Sequence, residues 1–251
     1  LAEANDGLVL LLARSEVGRL VQSYSPDAGT SWYAMTPSQL ASSAVVKSFL
    51  DDYFCTSEAW SVKKSALQVL LASNSWLYAQ SRRSEFRSDM NRGYVCTFSG
   101  LIIKSSTAHL FHVGDTRVYR IQGNRLEQLT TDHRYYASAE KSYLTRAMGM
   151  EQQLDLDYQS LTVQAGDTFI LATDGIYEFV NAQRITEIIA SNATDLQSAA
   201  EEILQAAMDN ASDDNLTIQI IRIDNTPAAN TDDIHQQLTE LPFPPELNPR
   251  D

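Results

Sequence analysis

The period of the hydrophobic pattern changes along this chain, and that change limits the fold more than any other feature. Over residues 38–54 (SQLASSAVVKSFLDDYF), apolar side chains recur at helical spacing through Leu40, Ala44, Val45, Phe49 and Leu50, with Ser38 after Pro37 supplying start signals. Residues 57–81 repeat the pattern through Trp60, Val62, Ala66, Leu67, Leu70, Leu71 and Trp76. From Gly93 the period is that of strands. YVCTFSGLIIKS, TAHLFHVG, TRVYRIQG and RLEQLT are short runs rich in β-branched and aromatic residues, broken by Gly and polar turns. Two long amphipathic helices followed by an antiparallel meander are therefore expected.

The flanking segments extend this order. Leu8–Ala13 and Arg19–Tyr24 read as a strand hairpin around the polar turn Arg14–Gly18. Residues 132–156 are mixed and polar, with a short helix predicted near Lys141–Met148. Strands resume at Ser160–Val163 and Thr168–Ala172, helices at Ala182–Ala190 and Asp195–Asp209, and Asn215–Ile223 (NLTIQIIRI) closes the pattern as a buried strand. The succession predicts an α+β fold of two antiparallel sheets covered by helices. From Asp224 the composition turns to Pro, Asn, Thr and Asp, including LPFPPELNP, so residues 1–224 are expected to form one domain and 225–251 a Pro-rich linker or tail.

Charge narrows the function classes. With 19 Lys and Arg against 32 Asp and Glu, the 251-residue chain carries a net charge of −13, which disfavours a nucleic-acid surface. An acidic chain acting on anionic groups needs metal ions to reverse the local field. Cys55 and Cys96 lack the spacing of a zinc site or a disulfide framework and read as two buried free thiols. No apolar run has the length of a transmembrane helix, so a cytoplasmic location is expected.

Four short sequences put an aspartate where a strand meets a turn: Asn5-Asp6-Gly7, Gly114-Asp115-Thr116-Arg117, Ala172-Thr173-Asp174-Gly175 and Asp213-Asp214-Asn215. Each alone is a plain turn. FILATDG carries more, because an apolar strand ending in a carboxylate with Gly directly behind leaves the acid at a sheet edge with room for a ligand. Hard cations such as Mg²⁺ and Mn²⁺ take oxygen ligands, and carboxylates converging from several strands neutralise them.

HLFHVGDTRVYRI at 109–121, LTTDH at 129–133, LTRAMGM at 144–150, DTFILATDGIYEFV at 167–180 and SDDNLTIQII at 212–221 together resemble the bacterial metal-dependent protein phosphatases of type 2C. Residues 40–66 are similar to the first helices of the phosphatase domain in bifunctional kinase–phosphatase proteins, in which a Pro-containing linker like 241–249 leads into a kinase domain. The resemblance implies a four-layer αββα fold, a central β-sandwich flanked by helix pairs. It also implies hydrolysis of phosphoserine and phosphothreonine in signalling proteins, by in-line attack of a water bridging two cations. Two or three Mn²⁺ or Mg²⁺ ions are the implied cofactors. Asp174 and Asp214 would bind the catalytic metals, Asp115 a third ion, and Asp6 matches the family's first-strand acid. The implied partners are a phosphoprotein substrate and, as one expectation, a kinase domain on the same polypeptide.

The sequence departs from the family at the Asp-Gly-Met-Gly-Gly loop, whose place is taken by Asp27-Ala28-Gly29. There Asp27 would bridge both metals and act with Asp174 and Asp214 in catalysis, and Ala28 would offer its carbonyl. The family's loop histidine is missing, and its phosphate-binding arginine has no counterpart in residues 1–5. Among other residues, His109 and His112 read as surface or core positions, Arg117 as a loop-holding residue bonded to carbonyls or to Asp174, and LTRAMGM with Tyr135 and Tyr136 as the family's mobile flap. Asp51 and Asp52 read as a solvated helix face. Two other readings stay open: a catalytically weak phosphatase fold serving as a regulatory module of a kinase, and an unrelated β-sandwich binding module whose aspartates are all turns.

Overall fold

The computed structural model describes residues 3–4, 7–14, 36–87, 93–123, 125–138 and 141–226. Strands β1 (Glu3–Ala4) and β2 (Gly7–Arg14) precede helices α1 (Pro37–Tyr53) and α2 (Val62–Arg83). Strands β3 (Thr97–Lys104), β4 (Thr107–Val113), β5 (Arg117–Gln122) and β6 (Arg125–Gln128) form the meander. A separate hairpin follows, β7 (Arg134–Ser138) with β8 (Lys141–Leu144), and then β9 (Asp157–Thr162) and β10 (Thr168–Ala172). Helices α3 (Asp174–Tyr177), α4 (Ala182–Ser191) and α5 (Leu196–Asp209) lead to the last strand, β11 (Ile218–Arg222).

Local chemistry sets the helix ends. α1 starts one residue earlier than its sequence signals suggest, because Thr36 rather than Ser38 is the N-cap. Its hydroxyl accepts from the Gln39 amide while the Gln39 side chain reaches back to the Thr36 amide. The second helix begins at Val62 instead of Ser57, since Ser61 accepts from the Lys64 amide and fixes the start there.

All pairings are antiparallel, and the strands form two main sheets ordered β1-β2-β3-β4-β9 and β11-β10-β5-β6. Alternation along the strands sorts the core into three layers. Phe98 and Ile102 of β3 and Phe111 of β4 face α1 and α2 with Val45, Phe49, Leu70 and Leu77. Leu101, Leu110, Val118, Phe169 and Leu171 meet between the sheets. Ile170 and Ala172 face α4 and α5 with Ile185, Ile188 and Ile203. Each such fully buried large side chain contributes about 1.5–3 kcal/mol of transfer free energy. The result is the expected four-layer αββα arrangement.

Two expectations are overturned. The helix predicted near Lys141–Met148 is instead strand β8 and an extended segment, because Tyr143 and Leu144 pair with Tyr135 and Arg134. Within LTRAMGM, Ala147 and Met148 are buried and Met148 bridges to Cys96, whereas Thr145 is exposed and Tyr135 and Tyr136 stand exposed on β7. Cys96 is buried but Cys55 is exposed, since it lies in the turn after α1 with its thiol donating to the Asp51 carbonyl. The proposed partner strand Arg19–Tyr24 lies outside the described residues; β2 pairs with β1 and β3.

Candidate active site

Strand register brings two of the expected aspartates together. Ala172, the last residue of β10, is paired with Arg117, the first of β5, so the residues just beyond these ends, Asp174 and Asp115, meet at one edge of the sandwich. Both are buried. Asp115 follows Gly114, whose φ of +118° and whose contact with Thr97 (a Cβ would stand 2.4 Å from the Thr97 side chain) exclude any larger residue. The Gly114 amide donates to His133 Nδ1 at 3.0 Å, and the His133 amide returns a bond to the Gly114 carbonyl at 2.8 Å.

Asp174 opens α3 directly after β10. Its Oδ1 accepts from the Gly175 amide at 2.9 Å, while the Thr173 hydroxyl donates to the Asn215 carbonyl at 2.9 Å. A Cβ on Gly175 would lie 2.7 Å from that same carbonyl, so glycine is what lets the Asp213-Asp214-Asn215 loop close against α3. Ser212 adds a bond from its hydroxyl to the Gly175 carbonyl at 2.9 Å. These contacts tie the residues on either side of Asp214 to those flanking Asp174; Asp214 itself is exposed, and its Oδ1 accepts from the Asn215 amide at 2.6 Å.

A residue that the sequence reading passed over completes the cluster. Arg134, the first residue of β7, donates from Nη2 both to Asp115 Oδ2 and to Asp174 Oδ2, the latter at 2.8 Å, and from Nη1 to Glu178 Oε1 at 3.1 Å. Its side chain is 13% exposed. Burial disfavours its charge, but the Asp115 carboxylate together with Tyr177 and Glu178 outweighs that and holds the guanidinium pKa above its ordinary value. The signal available in the sequence was general: carboxylates gathered at a sheet edge need a nearby cation, and Arg134 directly follows Asp132-His133.

Arg117 does hold the local loop, but through Asp132 instead of Asp174. Its Nε and Nη2 grip both Asp132 oxygens, with Nη2 to Oδ2 at 2.8 Å, and its guanidinium lies 3.7 Å from the Tyr177 ring centre. Tyr177 in turn donates its hydroxyl to the Asp115 carbonyl at 2.9 Å, and burial raises its pKa further above the ordinary phenol range. His112 and His109 take the expected supporting roles. His112 is buried between Ser99 Oγ and the Thr131 carbonyl, and His109 lies 3.0 Å from the Tyr158 hydroxyl.

The donor set suits a hard divalent cation. Oδ2 of Asp115 and Oδ2 of Asp174 converge on a single cationic nitrogen, which marks a point between them where positive charge is held by oxygen ligands. Among the described residues no group of three or more His, Cys, Asp or Glu gathers at metal-holding distance. Asp6, Asp27 and Ala28, the other expected ligands, lie outside the described residues.

Comparison with known proteins assigns the class. Residues 28–216 match the family model for protein phosphatase 2C, so the chain belongs to that family. Among curated relatives, a putative protein phosphatase of Mycoplasma pneumoniae is 31% identical over 139 residues, 49% of this chain and 53% of that protein. The serine/threonine phosphatase stp of Listeria monocytogenes serotype 4b is 29% identical over 158 residues, 57% of this chain and 62% of that protein. The chain thus spans less than two thirds of the length of the curated relatives it matches. Among solved structures, the catalytic domain of the serine/threonine protein phosphatase PstP in complex with two manganese ions superposes with a TM-score of 0.61 at 20% identity, covering 84% of this chain and 96% of that one. At that identity the likeness speaks for the fold alone.

Proposed function

We propose that the chain is a metal-dependent protein serine/threonine phosphatase acting on phosphoproteins in the cytoplasm. The observation that carries this reading is the convergence of buried Asp115 and Asp174 on one cationic nitrogen at the strand ends. Membership of the protein phosphatase 2C family and the naming of its relatives as serine/threonine phosphatases support the same chemistry. Mn²⁺ or Mg²⁺, two or three ions, is the cofactor proposed, in keeping with the two manganese ions of PstP. When bound, such ions lower the pKa of water and neutralise charge developing on phosphoryl oxygens.

The residues proposed to hold them are Asp174 and Asp214, with Asp6, Asp27 as the bridge, the Ala28 carbonyl, and Asp115 for a third ion. The chain's own contribution is positional. Thr173, Gly175 and Ser212 lock the Asp214 loop to Asp174, and Gly114 and Tyr177 hold the Asp115 backbone. The free thiols of exposed Cys55 and buried Cys96 suit a reducing compartment. The domain proposed is residues 1–224, with 225–251 as a linker that leads to a kinase on the same polypeptide.

The test is turnover of a phosphothreonine peptide with Mn²⁺, with and without EDTA. Activity is expected with Mn²⁺ and none after chelation. Asp174→Asn and Asp214→Asn should each lower turnover by roughly a hundredfold or more while the folded state persists, since the change removes charge but hardly alters volume. Activity in metal-free buffer, or near-normal turnover of either variant at saturating metal, would overturn the assignment.

A further inference from the structure

We propose that Arg134 is a built-in cation that competes with divalent metal for Asp115 and Asp174, so that metal binding at this pair releases the guanidinium and the β7–β8 hairpin that carries it. The inference rests on the metal-dependent reading above and adds a device to it.

Three observations lead to it. The guanidinium is already where a ligand cation would stand, since one nitrogen, Nη2, contacts Oδ2 of both carboxylates. The carboxylate side chains are 5% and 8% exposed, so two like charges sit together away from water, and in the absence of metal a buried cation between them is what makes the pair tolerable. A carboxylate oxygen turned to a divalent ion presents that ion's doubled charge to the buried guanidinium, and the two cations repel strongly at such distances in a low-dielectric setting. Occupation by metal and by Arg134 is therefore mutually exclusive at this point.

The hairpin is built so that it can leave. β7 and β8 form a sheet of their own, separate from the two main sheets, and an isolated two-stranded hairpin is marginal by itself. Its aromatic side chains do not anchor it in the core: Tyr135, Tyr136 and Tyr143 are 62%, 56% and 53% exposed. Its base is fixed independently, by the His133 amide on the Gly114 carbonyl and the Thr145 amide on the His133 carbonyl. Arg134 stands just past that fixed base, which places it to act as the catch.

The test uses the full chain and calorimetric Mn²⁺ titration of the parent, Arg134→Gln, Arg134→Lys and the control Arg125→Gln, which removes the same charge from an exposed strand edge. Arg134→Gln should bind Mn²⁺ roughly tenfold more tightly, because two charge-assisted hydrogen bonds no longer compete, while its metal-free melting temperature falls below that of the parent. Arg134→Lys, which keeps the charge and loses the planar fork, should fold like the parent and gain less; Arg125→Gln should stay within about twofold of the parent. Hydrogen exchange supplies the second readout: Mn²⁺ should accelerate exchange of the amides of 135–138 and 141–144 in the parent, and in Arg134→Gln these should exchange rapidly without metal. Unchanged or weaker Mn²⁺ affinity in both Arg134 variants, with the parent binding normally, overturns the competition alone. Failure of the parent to bind Mn²⁺ overturns the metal-dependent reading as well.

Discussion

At position 112 a strand that alternates between two faces points an imidazole toward the interior, where Ser99 and the Thr131 carbonyl satisfy both ring nitrogens. Burial, with a smaller contribution from neighbouring His133, lowers its pKa from the ordinary 6.5 to about 4. The folded state thus favours the neutral ring and the unfolded chain binds the proton more readily. The stability this confers is fully present above pH 6.5 and is lost as pH falls toward 4, amounting to about 3 kcal/mol across that window. Urea unfolding at pH 7 and pH 4.5 should show a smaller acid-induced loss in His112→Asn than in the parent, and equal losses would refute this account. The same scale shows what single residues disclose in a sequence. Asp115 and Asp174 were legible because an apolar strand running into Asp announces a carboxylate at a sheet edge. Arg134 was not, because its role depends on a hairpin whose path across the site no local pattern encodes.

At the scale of elements, the connection from β10 through α3 to the Asp214 loop depends on one missing side chain. An alanine at 175 would put a Cβ 2.7 Å from the Asn215 carbonyl and 3.2 Å from a Leu216 methyl, and backbone cannot move aside as a flexible side-chain tip can. Gly175→Ala should cost about 1–3 kcal/mol and lower phosphatase turnover by displacing Asp214 relative to Asp174. A melting temperature and turnover equal to the parent's would show that the loop is not held as described. Strands β3, β4, β5 and β10 and helices α4 and α5 were legible because long periodic runs and strong turn residues bounded them. Strand β8 was misread as the start of a helix. Lys141-Ser142-Tyr143-Leu144 has no decisive local preference, and cross-strand pairing with Arg134-Tyr135-Tyr136 decides its state.

At the scale of the molecule, the layer order followed from the sequence because helices and strands each bury one face, but how the two sheets are tied together did not. Ile223 is buried, with backbone bonds to Gly166 and Asp167, and the composition beyond Asp224 is too poor in apolar residues to build core, so truncation after Thr226 should leave the melting temperature within about 2 °C of the parent. A larger fall would mean that the tail belongs to the core. The inward face of β5 carries a charge, Arg120, whose Nη2 donates to Asp167 and, at 2.8 Å, to the Thr162 carbonyl at the end of β9 in the opposite sheet. Arg120 and Asp167 side chains are 10% and 4% exposed, and Asp167 also accepts from the Gln164 amide at 2.8 Å, while Arg120 Nε finds no partner among the described residues. Removing one partner strands the other charge between the sheets, so Asp167→Asn should destabilise by about 3–5 kcal/mol. Replacing both, as Arg120→Met with Asp167→Asn, removes the stranded charge and should recover much of that loss. Chemical denaturation of the two single variants and the double variant completes the cycle; strictly additive losses would mean that the pair is not what joins the sheets.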